Sequence, residues 1–331
     1  MKIILIFIIF FFSICSEEED TFQKFQQFIK KYDKKYNSLQ EFMARYIVFS
    51  QTLHKLKDSS KKRSYSTGIT KFSDLTEQEF LKTYGNLDVS ALTLLNPNPA
   101  NFIPKGNAPD SYNFIEQGYL QDVRDQGSCG SCYAFTSVAN IEGQYFKKYG
   151  KNKEFSQQQI VDCDYINSGC NGGLMEYTFT YLKKTGGIES YEDYPYVGVE
   201  QTCKSDKSKF DPDVVIDGWE KLGDKDVIID PANEDDMKEY LYEKGPLAII
   251  MNSILLREYT GGIIDVDESE CSTSRLNHAV VLVGYGTEND IPYWIVRNSF
   301  GKNWGENGYF RIYRGKGTCG INQYVVTVVL A

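Results

Sequence analysis

Histidine is nearly absent from this 331-residue chain. There are two, His54 and His278, and only one lies beyond residue 54. That scarcity argues against a zinc site built on imidazoles, and the cysteines are too scattered to supply the paired Cys-x-x-Cys ligands that would replace them. A basic surface is missing too: 36 Lys and Arg stand against 45 Asp and Glu, a formal charge of −9. Phosphate binding needs the opposite sign, so no nucleic-acid partner is expected. One strongly apolar run occurs, Ile3 to Phe12. It is far shorter than the ~20 residues a membrane span needs, and no membrane anchor is expected. No Asn-x-Ser/Thr acceptor is present, so N-glycan-dependent sorting has no support. No metal and no cofactor are expected.

What is present is unevenly placed. Met1-Lys2 precede the apolar run, and Ser13 and Cys15 stand at small-residue positions behind it, as in a secretory signal peptide cut near Cys15. The expected route is the secretory pathway, ending in a lysosome, an acidic vacuole or outside the cell. Residues 1–106 carry 15 Lys and Arg and 11 Asp and Glu, a balance of +4, whereas residues 107–331 carry 21 and 34, a balance of −13. Phe22, Phe25, Phe28 and Ile29 make one apolar stripe, and Phe42, Tyr46, Phe49, Leu53 and Leu56 a second, with a break near Asp33. These are two amphipathic helices that must bury their faces. Residues 85–107 hold Pro97, Pro99, Pro104 and Gly106 with little apolar periodicity, an extended linker of the kind that proteases cut. Three segments are expected: a signal peptide at 1–15, a removable pro-segment at 16–106 and a body at 107–331.

Gln126 to Phe135 pass from a Gly- and Ser-rich loop into a helix, because Phe135, Val138, Ile141 and Tyr145 recur at three- and four-residue steps. Gly150 ends that helix. Cys132 thus stands at or just inside a helix N-terminus. Unpaired N–H groups and the helix dipole favour an anion there, so its thiol is expected to ionise easily, and the thiolate is the nucleophile. Cys129 and Cys132 also fit a redox Cys-x-x-Cys pair or half a zinc site. Eight cysteines less Cys15 leave seven, and an odd number in a secreted chain implies one free thiol. If that thiol is Cys132, six remain for three bridges in any of 15 pairings.

The run Cys129-Gly-Ser-Cys132-Tyr, with His278 146 residues and Asn298 166 residues beyond Cys132, resembles the nucleophile signature of papain-like cysteine proteases. The pattern is similar to their cathepsin L-like group, in preproenzyme form. Two further stretches carry the resemblance, Glu41-x3-Arg45-x2-Val48-Phe49 and Gly68-x-Thr70-x-Phe72-x-Asp74, which look like the pro-segment motifs of that group. The resemblance implies an α+β protein of two lobes, the left helical and the right β-barrel-like, behind a helical pro-segment, with the site between the lobes. It implies a cysteine endopeptidase made as an inactive zymogen, a monomer that acts on polypeptides and is inhibited by its own pro-segment. Cys132 would be the nucleophile, and His278 would stabilise the thiolate and later protonate the leaving amine. Asn298 would orient the imidazole. The Gln126 side chain and the Cys132 N–H would form the oxyanion hole.

By the same resemblance, Gly172 and Gly173 line the substrate cleft, with Gly173 offering backbone hydrogen bonds to an extended peptide. Leu174, Met175, Ile250, Leu276, Ala279 and Tyr324 would line the pocket for the residue two before the scissile bond, favouring Leu-, Val- or Phe-like side chains. The implied disulfides are Cys129–Cys170, Cys163–Cys203 and Cys271–Cys319. Two positions depart from the commonest family pattern: Tyr133 follows the nucleophile, and Phe300 replaces a Trp that usually shields the Asn–His bond.

Elsewhere the pattern predicts a helical turn after Ser156, a short helix over 174–182 and an acidic helix over 233–243. Strands are expected at 214–216, 247–251, 278–283, 293–296 and 309–313. Two other function classes compete: a catalytically silent homologue that only binds, and a redox protein using Cys129 and Cys132.

Overall fold

The computed structural model describes residues 19–58, 63–85, 87, 89, 99–119, 122–223 and 231–331. The expected signal peptide at 1–15 lies outside the described residues. Helix α1 (19–31) and helix α2 (Leu39–Asp58) are the two amphipathic segments, separated by a turn in which Asp33 takes φ +46°. Phe25, Phe28 and Phe49 are fully buried between them, with Phe25 and Phe49 rings 5.2 Å apart. Strand β1 (Tyr65–Thr67) follows, then helix α3 (Glu77–Tyr84), an element the periodicity does not reveal. Its start is nonetheless written locally: the Thr76 hydroxyl accepts from the Glu79 N–H, and the Glu79 carboxylate accepts from the Thr76 N–H, a reciprocal cap.

Each residue of the Gly68–Asp74 motif has work in this arrangement. The Thr70 hydroxyl donates to the Arg257 carbonyl at 2.5 Å, and the Gly68 N–H donates to the Glu258 carbonyl. Phe72 turns toward Phe300, and Asp74 is held by Lys34 at 2.8 Å and the Tyr36 hydroxyl at 3.0 Å. β1 pairs antiparallel with β5 (Tyr259–Ile264), so the pro-segment adds an edge strand to the body's sheet.

The body opens with the short strand β2 (Tyr112–Asn113) and then the central helix α4 (Cys132–Tyr149), capped by Gly150 at φ +64°. From Cys132 to Gly143 every residue of α4 is buried, Ser137, Asn140 and Glu142 among them, because the helix lies inside the molecule. Gly143 permits its close approach to the Gly245–Pro246 break: a Cβ there would sit 2.6 Å from Pro246 Cγ. Helices α5 (Gln157–Cys163, N-capped by Ser156) and α6 (Met175–Thr185) complete the helical side. Strands β3 (Ile216–Leu222), β4 (Leu247–Met251), β6 (His278–Glu288), β7 (Ile291–Arg297), β8 (Tyr309–Tyr313) and β9 (Tyr324–Leu330) join β5, with helix α7 (Glu234–Lys244) packed outside. The sheet runs β1-β5-β8-β7-β6-β4-β9-β3, with β2 paired to β6. Asn289 and Asp290, both at positive φ, form the two-residue turn between β6 and β7.

One sequence expectation needs correction. The run Val214–Ile216 is not a strand: the Val214 N–H closes a turn onto the Asp211 carbonyl, Val215 is exposed, and the strand only begins at Ile216. Strands β5 and β9 carry no sequence expectation, although Tyr324–Leu330 is apolar but for Thr327.

Candidate active site

The site forms where the N-terminus of α4 meets the start of β6 and the end of β7. Cys132 is the first residue of α4 and is the free cysteine among the described residues, 1% exposed. The loop before it is pinned on both sides. Cys129 is bridged to Cys170, and the Gly130 N–H donates to the Cys170 carbonyl. The Gln126 N–H donates to the Ser299 carbonyl at 2.9 Å, and the Ser299 hydroxyl donates to the Gln126 side-chain oxygen at 2.5 Å. The Gln126 amide nitrogen donates to the Cys129 carbonyl at 3.0 Å, which fixes its direction and leaves its second hydrogen free. Ser131 makes no side-chain cap of α4; its hydroxyl instead meets the Tyr196 hydroxyl at 2.8 Å. The N–H groups at the start of the helix therefore stay available to an anion.

His278 opens β6 and is fully buried. Its Nε2 meets Asn298 Oδ1 at 2.9 Å, and among the described residues no hydrogen bond of good geometry reaches Nδ1. Asn298 is held in turn: its own N–H donates to the Gly308 carbonyl, and its Oδ1 also accepts the Ser299 N–H at 2.8 Å. Phe300 stacks on the imidazole, ring centres 5.1 Å apart. The backbone N–H of Ala279, next to His278, favours the thiolate of Cys132, which places the head of β6 against the thiol.

Burial nevertheless opposes the charged form of both groups. Burial pushes the Cys132 thiol up to about 11, against the backbone N–H groups that favour its anion. Burial likewise pushes His278 down to about 4, against the pull of Asn298 and the Tyr84 carbonyl. The expectation of an easily ionised thiol thus meets a larger opposing effect, because in a dry site the loss of hydration outweighs the helix dipole. The pro-segment does the drying. Phe72, Phe80 and Tyr84 crowd Phe300, with ring centres 5.0, 6.1 and 5.3 Å away, and the Leu87 N–H donates to the Asn277 carbonyl beside His278.

Sheet register brings three of the residues expected to line the pocket side by side. Ile250 on β4 stands opposite Ala279 on β6 and opposite Tyr324 on β9, so the three are lateral neighbours across the sheet. Leu174, Met175 and Leu276 join the same buried cluster, and Leu87 packs with it. Gly172 takes φ +109°, and at Gly173 a Cβ would lie 2.4 Å from Asn167 Oδ1, so this wall of the cleft needs glycine. Cys163 is bridged to Cys203, and Cys271 to Cys319. Sequence reasoning missed Ser299, which orients Gln126, and Glu176, a carboxyl at the start of α6 that faces the Tyr324 hydroxyl and is pushed up to about 7 by burial. Ser299 stands within the Asn298 motif and was within reach. Nothing local marks Glu176 as buried.

Residues 108–329 match the family described as papain family cysteine protease, and residues 25–80 match the cathepsin propeptide inhibitor domain. Cysteine proteinase 15A of Pisum sativum is 36% identical over 324 residues, covering 93% of this chain and 86% of that protein. Cysteine proteinase 1 of Zea mays is 38% identical, covering 92% and 85%. Among solved structures, digestive procathepsin L 3 of Tenebrio molitor larval midgut superposes with a TM-score of 0.84 at 29% identity, over 94% of this chain and 99% of that one. The ragweed pollen protease Amb a 11 in its proform superposes at 0.82 and 33%, over 95% and 96%.

Proposed function

The chain belongs to the papain family of cysteine proteases, and from that premise we propose that Cys132, His278, Asn298 and Gln126 carry its peptide hydrolysis. The protein is a cysteine endopeptidase made as a zymogen with its own inhibitory pro-segment. One observation carries the assignment of roles: His278 uses Nε2 on Asn298, and the Ala279 N–H beside it favours the thiolate of Cys132, the free thiol at a helix N-terminus. Removal of the pro-segment rehydrates the pair. The thiol's proton passes to Nδ1, and the thiolate–imidazolium form follows. Sγ adds to the peptide carbonyl, and the oxygen that gains charge takes hydrogen bonds from the Cys132 N–H and the free hydrogen of Gln126 Nε2. The C–N bond breaks as imidazolium gives its proton to the leaving amine. Water, deprotonated by His278, then splits the thioester to release the acid and regenerate the thiol.

The pocket of Leu174, Met175, Ile250, Leu276, Ala279 and Tyr324 would take an apolar side chain two residues before the scissile bond, with Gly172 and Gly173 along the substrate backbone. Substrates are polypeptides, the enzyme is a monomer, and its route is the secretory pathway to an acidic organelle or the exterior. The pro-segment ends near residue 106. Its docking has a polarity: Lys55–Glu258, Arg63–Glu270, Lys71–Asp125 and Lys105–Glu243 all set a pro-segment cation on a body carboxylate. Acid that approaches ordinary carboxylate pKa values near ~4 therefore weakens docking and starts maturation. The deciding experiment is mass spectrometry of acid-matured protein treated with an epoxide thiol inhibitor. One adduct on Cys132, with loss of peptidase activity, is expected. An unlabelled Cys132 in an inhibited enzyme would end the proposal.

A further inference from the structure

The linker reaches the body along one face of α7. Phe102 packs edge-on against Tyr240 at 4.9 Å, and Lys105 pairs with Glu243 at 2.8 Å. The two oxygens of the Glu239 carboxylate accept the backbone N–H groups of Asn107 at 3.1 Å and Ala108 at 3.0 Å. Glu239 is 8% exposed, and among the described residues it forms no ion pair. A carboxylate so buried, facing only neutral donors, is short of positive charge. Just upstream, Ile103, Pro104, Lys105 and Gly106 are all exposed, and Gly106 takes φ +67° with open space where a Cβ would stand. The chain is open to a peptidase up to the residue that Glu239 grips.

We propose that Glu239 is the receptor for the α-ammonium group created when the Gly106–Asn107 bond is hydrolysed. The proposal rests on the reading that the pro-segment ends near residue 106. Water adds across the amide: the C–N bond breaks, Gly106 leaves with a carboxylate, and the Asn107 nitrogen becomes an ammonium group at acid pH. That nitrogen already sits on Glu239 Oε2, so the neutral donor becomes a charged one without the chain having to move. The bond, already assisted by the carboxylate's charge, becomes an ion pair with hydrogen-bond geometry. Ala108 keeps the other oxygen. Lys105 departs with the pro-segment, which unpairs Glu243 one turn along the same face and makes the site more negative. A cut one residue later would forfeit one of the two bonds, and a cut one residue earlier would carry the ammonium past the carboxylate.

The charged and titratable groups around this site are Glu243 and Lys238 on α7, Lys147 on α4, Tyr112 on β2, Tyr285 on β6 and Arg314 after β8. Lys105 on the linker leaves with the pro-segment and carries its charge at both test pH values, below its ordinary range, and the others are common to the proform and the mature form. The α-amine alone is new, with an ordinary pKa of ~7.7–8.0. Glu239 raises it, so its contribution is complete below that range and is lost as pH rises through the raised value.

The test compares wild type with Glu239→Gln, each matured in acid, by N-terminal sequencing and by melting at pH 6 and pH 9.5. Wild type should end at Asn107, and the variant should give several ends. The mature variant should melt about 4 °C lower at pH 6. That deficit should shrink at pH 9.5 to the size of any deficit in the proform, which stays the same at both. Turnover of a short peptide should be unchanged, since Glu239 is remote from the catalytic groups. A single Asn107 end in both proteins with a deficit independent of pH overturns the role of Glu239 and leaves the boundary standing. A wild-type end elsewhere overturns the proposal, and one outside residues 104–110 removes the boundary reading with it. Should the variant not fold, the wild-type proteins decide: the mature form must lose stability relative to the proform between pH 7 and 9.5, and parallel curves refute the idea.

Discussion

Substituting Trp for Phe300 should separate shielding of the catalytic pair from docking of the pro-segment. Phe300 is 1% exposed and touches five rings. His278 and Trp304 belong to the body, and Phe72, Phe80 and Tyr84 to the pro-segment. In the zymogen every side is filled, so the second ring of an indole must force its neighbours apart. Overpacking of this kind costs about 1–3 kcal/mol. Most of that falls on the pro-segment contacts, which weakens docking by a factor of about 5–150. In the mature enzyme three of the five neighbours are gone, and the indole can spread over the His278–Asn298 bond without strain. The assay has two parts: the fraction matured after a fixed time across pH 4–7, and kcat/KM of the matured enzyme on a short peptide. Half-maturation should move to higher pH, while kcat/KM stays equal or rises. A proform that matures as wild type does, together with a mature enzyme more than tenfold impaired, would refute both the packing argument and the shielding argument.

Three further outcomes follow from the same geometry. Lys71→Met removes a cation that pairs with Asp125 at 2.5 Å and lies over the Phe72 and Phe300 rings. Because Asp125 is about half exposed, docking should weaken by no more than about fivefold, seen as slightly earlier maturation on acidification; an unchanged profile would remove charge as a contributor at this point. Iodoacetamide at pH 7 should alkylate Cys132 at least ~100-fold faster in the matured enzyme than in the proform, since burial holds the thiol at about 11 and His278 at about 4 until the pro-segment leaves; similar rates would show that the pair is not dried by docking. Glu176 is raised by burial from 4.5 to about 7, so it favours the folded state below its unfolded value and withdraws that support as pH climbs through 7. Glu176→Gln should therefore flatten the fall in stability between pH 5 and pH 8, a term of about 3 kcal/mol, when the two proteins are unfolded in urea at both pH values; equal slopes would show the carboxyl to be hydrated.

Much of this molecule could be read without coordinates. The helix after Cys132 was legible from Phe135, Val138, Ile141 and Tyr145, and its end from Gly150, because helical spacing and a left-handed cap are local. The α1–α2 hairpin was legible from two aromatic stripes. Helix α3 was not, since eight residues are too few for periodicity to stand out; the reciprocal cap of Thr76 and Glu79 was the available clue. At Val214–Ile216 the β-branched residues point to a strand, but a turn onto Asp211 wins at Val214 and the strand begins only at Ile216. Around the site, motif spacing singled out Gln126, Cys132, His278 and Asn298, while Ser299 and Glu176 went unseen.

By itself the sequence determined the family, the two-part zymogen architecture and the residue types available for chemistry, since each is written in short-range pattern or motif spacing. Only the tertiary structure decided which state that chemistry is in. Whether Cys132 and His278 are charged depends on how much water reaches them, and that is set by Phe72, Phe80, Tyr84 and Leu87, some 50 to 200 residues distant in the chain. Ala279, Ile250 and Tyr324 likewise stand side by side only because of the registers of β4, β6 and β9. Hydration and strand register are properties of the packed whole, and no local stretch of sequence encodes either.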